Sequence, residues 1–300
     1  MKKRFTHHSE YGHIESIIIK SPSHAFVSDQ KIEEEWKDLN FLSPPDLGDA
    51  VSEYDSFQSI LTKTIEEIHI LPYHQAVTLD SIYCRDTMIT TDHGLIFCNM
   101  GKTQRVAEPG AIKEYCITHG IPVLGEITHP GTIEGGDVAW IDEQTLAVGH
   151  TYRTNPEGIR QLKALLDPHD IELVIVDLPH YKGPADVFHL MSIFSPIDRD
   201  LAVVYSPLMP ISFRNLLLDR SFYLVEVPDD EFDSMGCNVL AISPRNVMIV
   251  EGNPKTVELL TKAGCIVNEY AGKDISLKGG GGPTCLTRPM KRSMLDTGFN

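Results

Sequence analysis

A cysteine near the carboxyl end of the chain is the first candidate for chemistry, because it follows a glycine run in GGGGPTC at residues 279–285. Glycines let a backbone curve tightly beside a ligand. A partly exposed thiol becomes a nucleophile when a neighbour stabilises its thiolate. Cys285 therefore fits either a nucleophile presented by a loop or a buried structural cysteine.

Two further segments could supply proton transfers. His189, in ADVFHLMS, could move protons near neutral pH. Glu134 or Asp137, in IEGGDVAW, could orient and charge a histidine and complete a Cys–His–carboxylate set. The plainer alternatives are a hydrogen-bonded histidine at a strand start and a simple turn. Because IEGGDVAW lacks the GxGxxG spacing of a dinucleotide site, we expect no such cofactor.

Charged residues in three other segments could hold a substrate. LDSIYCRDTMI at 79–89 supplies Asp80, Arg85 and Asp86. A buried carboxylate needs a partner, which could be a bound guanidinium or the neighbouring Arg85. Arg105 in GKTQR and Arg153 in TYRTN could clamp a substrate carboxylate or form surface ion pairs.

The elements that position these residues read as hairpins followed by helices. Short apolar segments meet polar turns and return as second strands. Helical patterns follow several hairpins, and two of them open with Asn-Pro. A further strand, such as 172–178 or 265–270, then completes each unit. The predicted hairpins cover 87–98, 137–149, 190–205 and 238–251, the predicted helices cover 108–120, 155–166 and 253–264, and a lone first strand covers 13–20.

The polar residues that head the hairpins recur at a spacing close to fifty. Asp86, Asp137, His189, Asn238 and Cys285 are separated by 51, 52, 49 and 47 residues. This period is typical of propeller-like arrays, whose strands place their first residues around one central mouth. We therefore predict an α/β propeller of five units, closed by pairing of the chain ends. A coincidental spacing in an ordinary α/β protein is the alternative.

Composition narrows the class of protein. The net charge of −16 opposes a nucleic-acid groove, and no apolar run reaches the length of a membrane span. Six scattered cysteines without a CxxC pair indicate reduced thiols rather than a zinc ribbon. The amino-terminal segment lacks the apolar region of a signal peptide, so we expect a cytoplasmic protein.

Two segments are predicted to be peripheral. His7, His8 and His13 are interpreted as surface residues rather than metal ligands. The acidic stretch 31–50 is predicted to be an excursion over the surface. Nothing interrupts the repeats, so residues 1–300 are predicted to form a single domain.

Taken together, six short motifs resemble the guanidino-group-modifying enzymes, which include dimethylargininases, arginine deiminases and amidinotransferases. Their order and spacing match from about residue 80 to residue 288. The resemblance implies the pentein fold, a five-bladed α/β propeller, and a reaction that needs neither cofactor nor metal. The motifs are RD at 85–86, EGGD at 134–137, RTN at 153–155, HL at 189–190, GCN at 236–238 and GGGGPTC at 279–285.

The resemblance also implies a role for each matching residue. Cys285 is similar to the family nucleophile, His189 to its general acid and base, and Glu134 to the carboxylate beside the histidine. The implied substrate contacts are Asp86 for the guanidinium, Asp80 for the α-amino group, and Arg105 and Arg153 for the α-carboxylate. Asp137 and Asn238 are interpreted as supporting positions.

Two departures bear on the substrate. Met191 stands two residues after the histidine, where deiminases and amidinotransferases carry an acid, which leaves room for a substituted nitrogen as in dimethylargininases. Arg85 precedes the aspartate, as in deiminases.

The expected activity is a cysteine-dependent hydrolysis. Arginine or an N-methylated arginine would give citrulline or another ureido product through a covalent thiouronium. An amidinotransferase and an inactive propeller that acts as a binding protein are the alternatives. The oligomeric state is open, and a homodimer is allowed.

Overall fold

Each of the four predicted hairpins pairs with a further strand, as expected, and a fifth sheet brings the total to five three-stranded sheets. The structure is a computed structural model that describes residues 6–294. Within these residues the strands are β1 (His13–Ile19), β2 (Glu67–Ile70), β3 (Met88–Thr91), β4 (Gly94–Phe97), β5 (Val123–Glu126), β6 (Val138–Asp142), β7 (Thr145–His150), β8 (Glu172–Asp177), β9 (Phe194–Asp198), β10 (Leu201–Val204), β11 (Tyr223–Glu226), β12 (Leu240–Ser243), β13 (Asn246–Val250), β14 (Ile266–Tyr270) and β15 (Thr287–Ser293).

Helices connect the second and third strands of the sheets. In four sheets an antiparallel hairpin is followed by a helix and a strand parallel to the hairpin's second strand, because a parallel pairing needs a long crossover. The helices are α1 (Pro22–Ala25), α2 (Asp29–Glu35), α3 (Leu47–Leu61), α4 (Glu108–Thr118), α5 (Pro156–Leu166), α6 (Ile211–Asp219), α7 (Asp229–Phe232) and α8 (Pro254–Lys262). The three predicted helices are α4, α5 and α8.

The fifth sheet joins the two ends of the described chain. Its central strand β1 pairs with β15 in antiparallel register, from His13 opposite Ser293 to Ile19 opposite Thr287. The same strand pairs with β2 in parallel. The predicted five-bladed α/β propeller, closed by its ends, is therefore confirmed.

Sequence chemistry explains how the blades form. α5 starts where Asn155 accepts a hydrogen bond from the N–H of Gly158 at 2.8 Å, with Pro156 in the first turn. The middle strands are apolar along their length, and Leu146, Ala147 and Val148 of β7 are fully buried. Such continuous burial is typical of strands covered on both faces.

Two peripheral expectations need correction. His8 is buried, stacks on Trp140 at 4.0 Å between ring centroids, and bonds through Nδ1 to the carbonyl of Glu143 at 2.8 Å. Its ring completes an apolar contact, which the sequence alone did not signal. The stretch 31–50 is also only partly peripheral, because Leu39 and Phe41, in the segment that links α2 to α3, are buried. Within residues 6–294, no helix is long and apolar enough to cross a membrane.

A buried charge cluster ties the amino-terminal segment to the blades. Arg85 donates to Glu10 at 2.8 Å, although Asp86 is its sequence neighbour. Arg288 donates to the carbonyl of Arg85 at 2.6 Å, and Arg292 to the carbonyl of Ala241 at 3.0 Å. Burial opposes ionisation of Glu10, but the three arginines outweigh it and lower the pKa of this carboxyl. Glu10 therefore holds a charge that the fold needs.

Replacing Glu10 with alanine is expected to destabilise the protein by about 3–5 kcal/mol, because buried guanidinium groups lose their counter-charge. Denaturant unfolding at pH 7 measures this. The exposed Glu33 of α2 provides the matched control, and Glu33→Ala is expected to leave the free energy of unfolding nearly unchanged. Since the folded pKa of Glu10 is lowered, its contribution should fade as the pH falls below about 4.3. Equal stability of the two variants would contradict this.

Candidate active site

Seven of the predicted residues line one pocket of about 230 Å³. Short turns just before the first strands of the blades present several of them. Asp80 and Asp86 lie in the turns Leu79–Ile82 and Cys84–Thr87, and His189 directly precedes the turn Leu190–Ser192. The seven residues are Asp80, Asp86, Arg105, Arg153, His189, Asn238 and Cys285.

His189 lies between two carboxylates. Its Nε2 is 2.8 Å from Oε2 of Glu134, and its Nδ1 is 3.9 Å from Oδ1 of Asp86. Burial alone would lower the pKa of this imidazole, but Asp137, Glu134 and Asp86 together raise it. The pKa of Glu134 is lowered despite burial, because it bonds to the imidazolium and lies near Arg153. The pair is therefore an ion pair at neutral pH.

Replacing Glu134 with glutamine is expected to lower the pKa of His189 by about 1–3 pH units, because an adjacent opposite charge is removed. Histidine ring signals followed by NMR over pH 5–10 measure this midpoint. In the wild type, the stabilisation from the charged imidazole is complete below about pH 6.5 and is lost as pH rises through the raised pKa. Glu157→Gln on the surface is the control, and an equal midpoint in both variants would contradict the pairing.

Asp137 holds the backbone beside the histidine. It accepts hydrogen bonds from the N–H of Leu190 at 3.0 Å and from the hydroxyls of Thr151 and Thr154 at 2.7 and 2.6 Å. Burial raises the pKa of this carboxyl to about 6. Because its oxygens are occupied inside the protein, the geometry supports a positioning role.

Asn238 contacts the two loop residues Thr284 and Cys285. Its Oδ1 accepts from the N–H and the hydroxyl of Thr284 at 3.0 and 2.9 Å, and its Nδ2 lies 3.5 Å from Sγ of Cys285. Burial and the charge of Asp86 raise the pKa of the Cys285 thiol, while hydrogen bonds from Thr284 and Asn238 oppose this. These protein neighbours therefore favour the protonated thiol.

The glycine run lets this loop pass close to other side chains. A Cβ on Gly282 would meet Oδ1 of Asn238 at 2.5 Å, and one on Gly281 would meet the ring of Tyr83 at 2.4 Å. Side chains cannot approach so closely, so glycine is required. Cys285 is partly exposed, whereas the other five cysteines are buried.

Asp86 is held with its oxygens in fixed positions. Arg105 donates to its Oδ2 at 2.5 Å, and the N–H of Gly136 donates to its Oδ1 at 3.0 Å. Arg105 itself is bound by Glu108, at 2.7 Å to Oε2, and by the carbonyl of Tyr83 at 2.9 Å. Arg105 therefore lines the pocket with every guanidinium nitrogen already donating to a protein acceptor.

Arg153 differs from Arg105 because two of its guanidinium nitrogens donate no hydrogen bond within the protein. Nε and Nη1 of Arg153 are buried without a hydrogen-bond partner, and Nη1 lies 3.6 Å from Glu134. An unpaired buried donor is costly, so this guanidinium is suited to receive an anionic group.

Sequence reasoning missed Lys102, which lines this pocket, and Glu108, which holds one of its arginines. Nζ of Lys102 donates to Oδ2 of Asp80 at 2.6 Å and to the carbonyl of Leu39 at 2.8 Å. Glu108 fixes Arg105 from the first turn of α4. Glu108 could have been found from its spacing three residues after an arginine, but Lys102 gave no signal because its partners are distant in sequence.

Ligand atoms of Asp86, Glu134 and His189 lie within 4.8 Å of one another, which is close enough for a metal site. However, Asp86 already bonds to a guanidinium and Glu134 to an imidazolium. These cations oppose a bound metal ion, so the arrangement favours acid–base chemistry.

Comparison with known proteins agrees with this geometry. Residues 39–292 match the family model described as "N,N dimethylarginine dimethylhydrolase, eukaryotic". The chain belongs to this family. The chain is 25% identical to the N(G),N(G)-dimethylarginine dimethylaminohydrolase of Pseudomonas aeruginosa over 271 aligned residues. The alignment covers 90% of this chain and 97% of that enzyme. The uncharacterized protein YkgA of Bacillus subtilis is 28% identical over 286 residues, or 95% and 94% of the two chains.

Solved structures show the same fold. The Pseudomonas aeruginosa enzyme, as a mutant complexed with citrulline, has a TM-score of 0.75 at 22% identity and covers 93% of this chain and 99% of that one. The amino-terminal domain of ArgZ, a cyanobacterial arginine dihydrolase, has a TM-score of 0.78 at 17% identity, covering 93% and 98%. The predicted pentein fold and the predicted class, a hydrolase acting on C–N bonds of linear amidines, are confirmed.

Proposed function

We propose that the protein hydrolyses the guanidino group of an arginine-like acid, with or without an N-methyl group, through a covalent intermediate on Cys285. The observation that carries this is the shared pocket of Asp86, His189 and Cys285, in which a carboxylate, an imidazolium and a partly exposed thiol surround a space of about 230 Å³. The thiol can attack carbon, the imidazolium can protonate a leaving amine, and the carboxylate can hold a flat cation.

Asp86 prepares the substrate for attack. Because Arg105 and Gly136 fix its oxygens, the carboxylate can bind a guanidinium in one orientation and present its central carbon to Sγ. The positive charge of the substrate favours the thiolate, so binding offsets the raised pKa of Cys285. The nucleophile therefore forms mainly when substrate is bound.

The first half-reaction breaks a C–N bond. The thiolate adds to the guanidinium carbon and forms a C–S bond. His189, which its three carboxylate neighbours keep protonated at neutral pH despite burial, gives its proton to the departing nitrogen. Ammonia or an alkylamine leaves, and a thiouronium remains on Cys285.

The second half-reaction consumes water. The imidazole, now neutral, takes a proton from water, and the resulting hydroxide adds to the thiouronium carbon. The C–S bond breaks and the hydroxyl on this carbon passes its proton through solvent to the released amine, which leaves the neutral ureido product and restores the thiolate. The sum is guanidino acid plus water to ureido acid plus amine.

The surroundings of the reacting nitrogens favour a substituted substrate. Met191 is apolar, nearly buried and part of the pocket wall, so no second carboxylate grips the guanidinium from this position. An N-methyl group would contact this apolar surface at little cost. The relatives named as dimethylarginine dimethylaminohydrolases and arginine deiminases support both substituted and unsubstituted guanidines.

A panel of guanidino acids tests this proposal. Purified protein is expected to release a ureido product together with ammonia or methylamine from at least one of them. Addition of an acceptor amine distinguishes transfer, because an amidinotransferase would make a new guanidine instead of the ureido product. Absence of any ureido or new guanidino product from the whole panel would contradict the proposal. The cytoplasmic location and the homodimer stay predictions.

A further inference from the structure

The pocket already contains an ammonium group beside Asp80. Nζ of Lys102 donates to Oδ2 of Asp80 at 2.6 Å and to the carbonyl of Leu39 at 2.8 Å. These are a carboxylate and a carbonyl, the two acceptor types that a primary ammonium prefers. The lysine side chain is only 12% exposed, and that of Asp80 is 4% exposed. The charge pair is therefore largely desolvated.

The charges around Lys102 favour a ligand that carries a carboxylate but no ammonium group. Asp80 is neutralised by Lys102, while Nε of Arg153 is buried without a hydrogen-bond partner and its Nη1 lies 3.6 Å from Glu134. An ammonium has three N–H donors, and Lys102 uses two of them on described partners. Lys102 and Arg153 can thus both donate to a carboxylate. The acidic side chains at the rim are Asp233, which is paired with Lys182 at 2.9 Å, and Asp186.

From this arrangement we propose that Lys102 selects guanidino acids that lack an α-amino group. The inference rests on the proposed function and narrows its substrate class. The carboxylate of the substrate binds Arg153 and Lys102, and its guanidinium binds Asp86. The α-ammonium group of an amino acid would need the carboxylate of Asp80 and the carbonyl of Leu39, which the ammonium of Lys102 already occupies. Two like charges placed together in a binding site weaken binding strongly.

Arginine and 5-guanidinopentanoate form a matched pair for the test, because they differ only in the α-amino group. The wild-type protein is expected to favour 5-guanidinopentanoate in kcat/KM by about 100-fold. In Lys102→Met the acceptors of Asp80 and Leu39 become open at nearly unchanged side-chain volume. The preference is therefore expected to reverse in favour of arginine. A purely structural role of Lys102 would lower both values together and leave their ratio unchanged.

Lys182→Met is the matched control, since Lys182 lies at the rim and pairs with Asp233. It is expected to keep the wild-type ratio. A wild-type protein that favours arginine, or a Lys102→Met variant with an unchanged ratio, overturns the inference but leaves the proposed hydrolysis standing. No turnover of any guanidino compound overturns both.

Discussion

Replacing Cys285 with serine is expected to lower kcat by about 10⁴-fold or more, because the serine hydroxyl ionises far less readily than a thiol and is a weaker nucleophile toward the guanidinium carbon. Binding is expected to survive, since Asp86 and Arg153 are unchanged. Steady-state assays for the ureido product measure the loss, and calorimetric titration with substrate measures the remaining binding.

The chain offers a control with the same chemical change. Cys265 lies before β14 and outside the pocket, so Cys265→Ser is expected to keep activity close to that of the wild type. Activity retained in Cys285→Ser, or an equal loss in the two variants, would contradict the assignment of Cys285 as the nucleophile.

Replacing His189 with glutamine is expected to lower kcat by about 10²–10⁴-fold with amine-releasing substrates, because an amine leaves poorly without a proton. An S-alkylisothiourea analogue releases a thiol, which needs much less help from an acid. The variant is therefore expected to give one equivalent of thiol in a rapid burst and then stop, since the second half-reaction still needs a base.

Quenched-flow measurement of thiol release tests whether His189 acts as the acid of the first half-reaction and the base of the second. His180, which bonds to Tyr152 at 2.7 Å, is exposed and provides the control variant His180→Gln, for which full turnover is expected. If His189→Gln showed equal losses with both leaving groups and no burst, the histidine would not be the acid of the first step.

The fold could be predicted because its information is local. Four of the five blades are each encoded by one continuous segment with an apolar hairpin, a helix and a strand, so a segment such as 137–177 already specifies its sheet. The spacing near fifty then predicted which hairpin heads converge, and the pairing of β1 with β15 closed the array as expected.

The charge pairing inside the site could not be predicted, because it depends on which side chains meet after folding. Arg85 precedes Asp86 but pairs with Glu10, while Arg105 takes Asp86 and Glu108. Motif matching gave Arg105 a substrate contact, and in the structure its guanidinium already donates to Asp86, Glu108 and the carbonyl of Tyr83.

A second limit concerns residues outside any motif. Lys102 and Leu39 lie 63 residues apart, and only the folded chain brings them together. Their contact changes the expected role of Asp80, since its carboxylate already holds an ammonium. Substrate selection was therefore the part of the function least visible in the sequence.

The formation of a covalent intermediate on Cys285 is the central claim, and intact-protein mass spectrometry tests it most directly. Protein mixed with a turned-over guanidino acid and quenched in acid is expected to show a mass increase equal to the guanidino acid minus the ammonia or alkylamine released, which peptide mapping places on Cys285. Turnover with an unmodified Cys285 at every quench time, or with the added mass on another residue, would contradict the account.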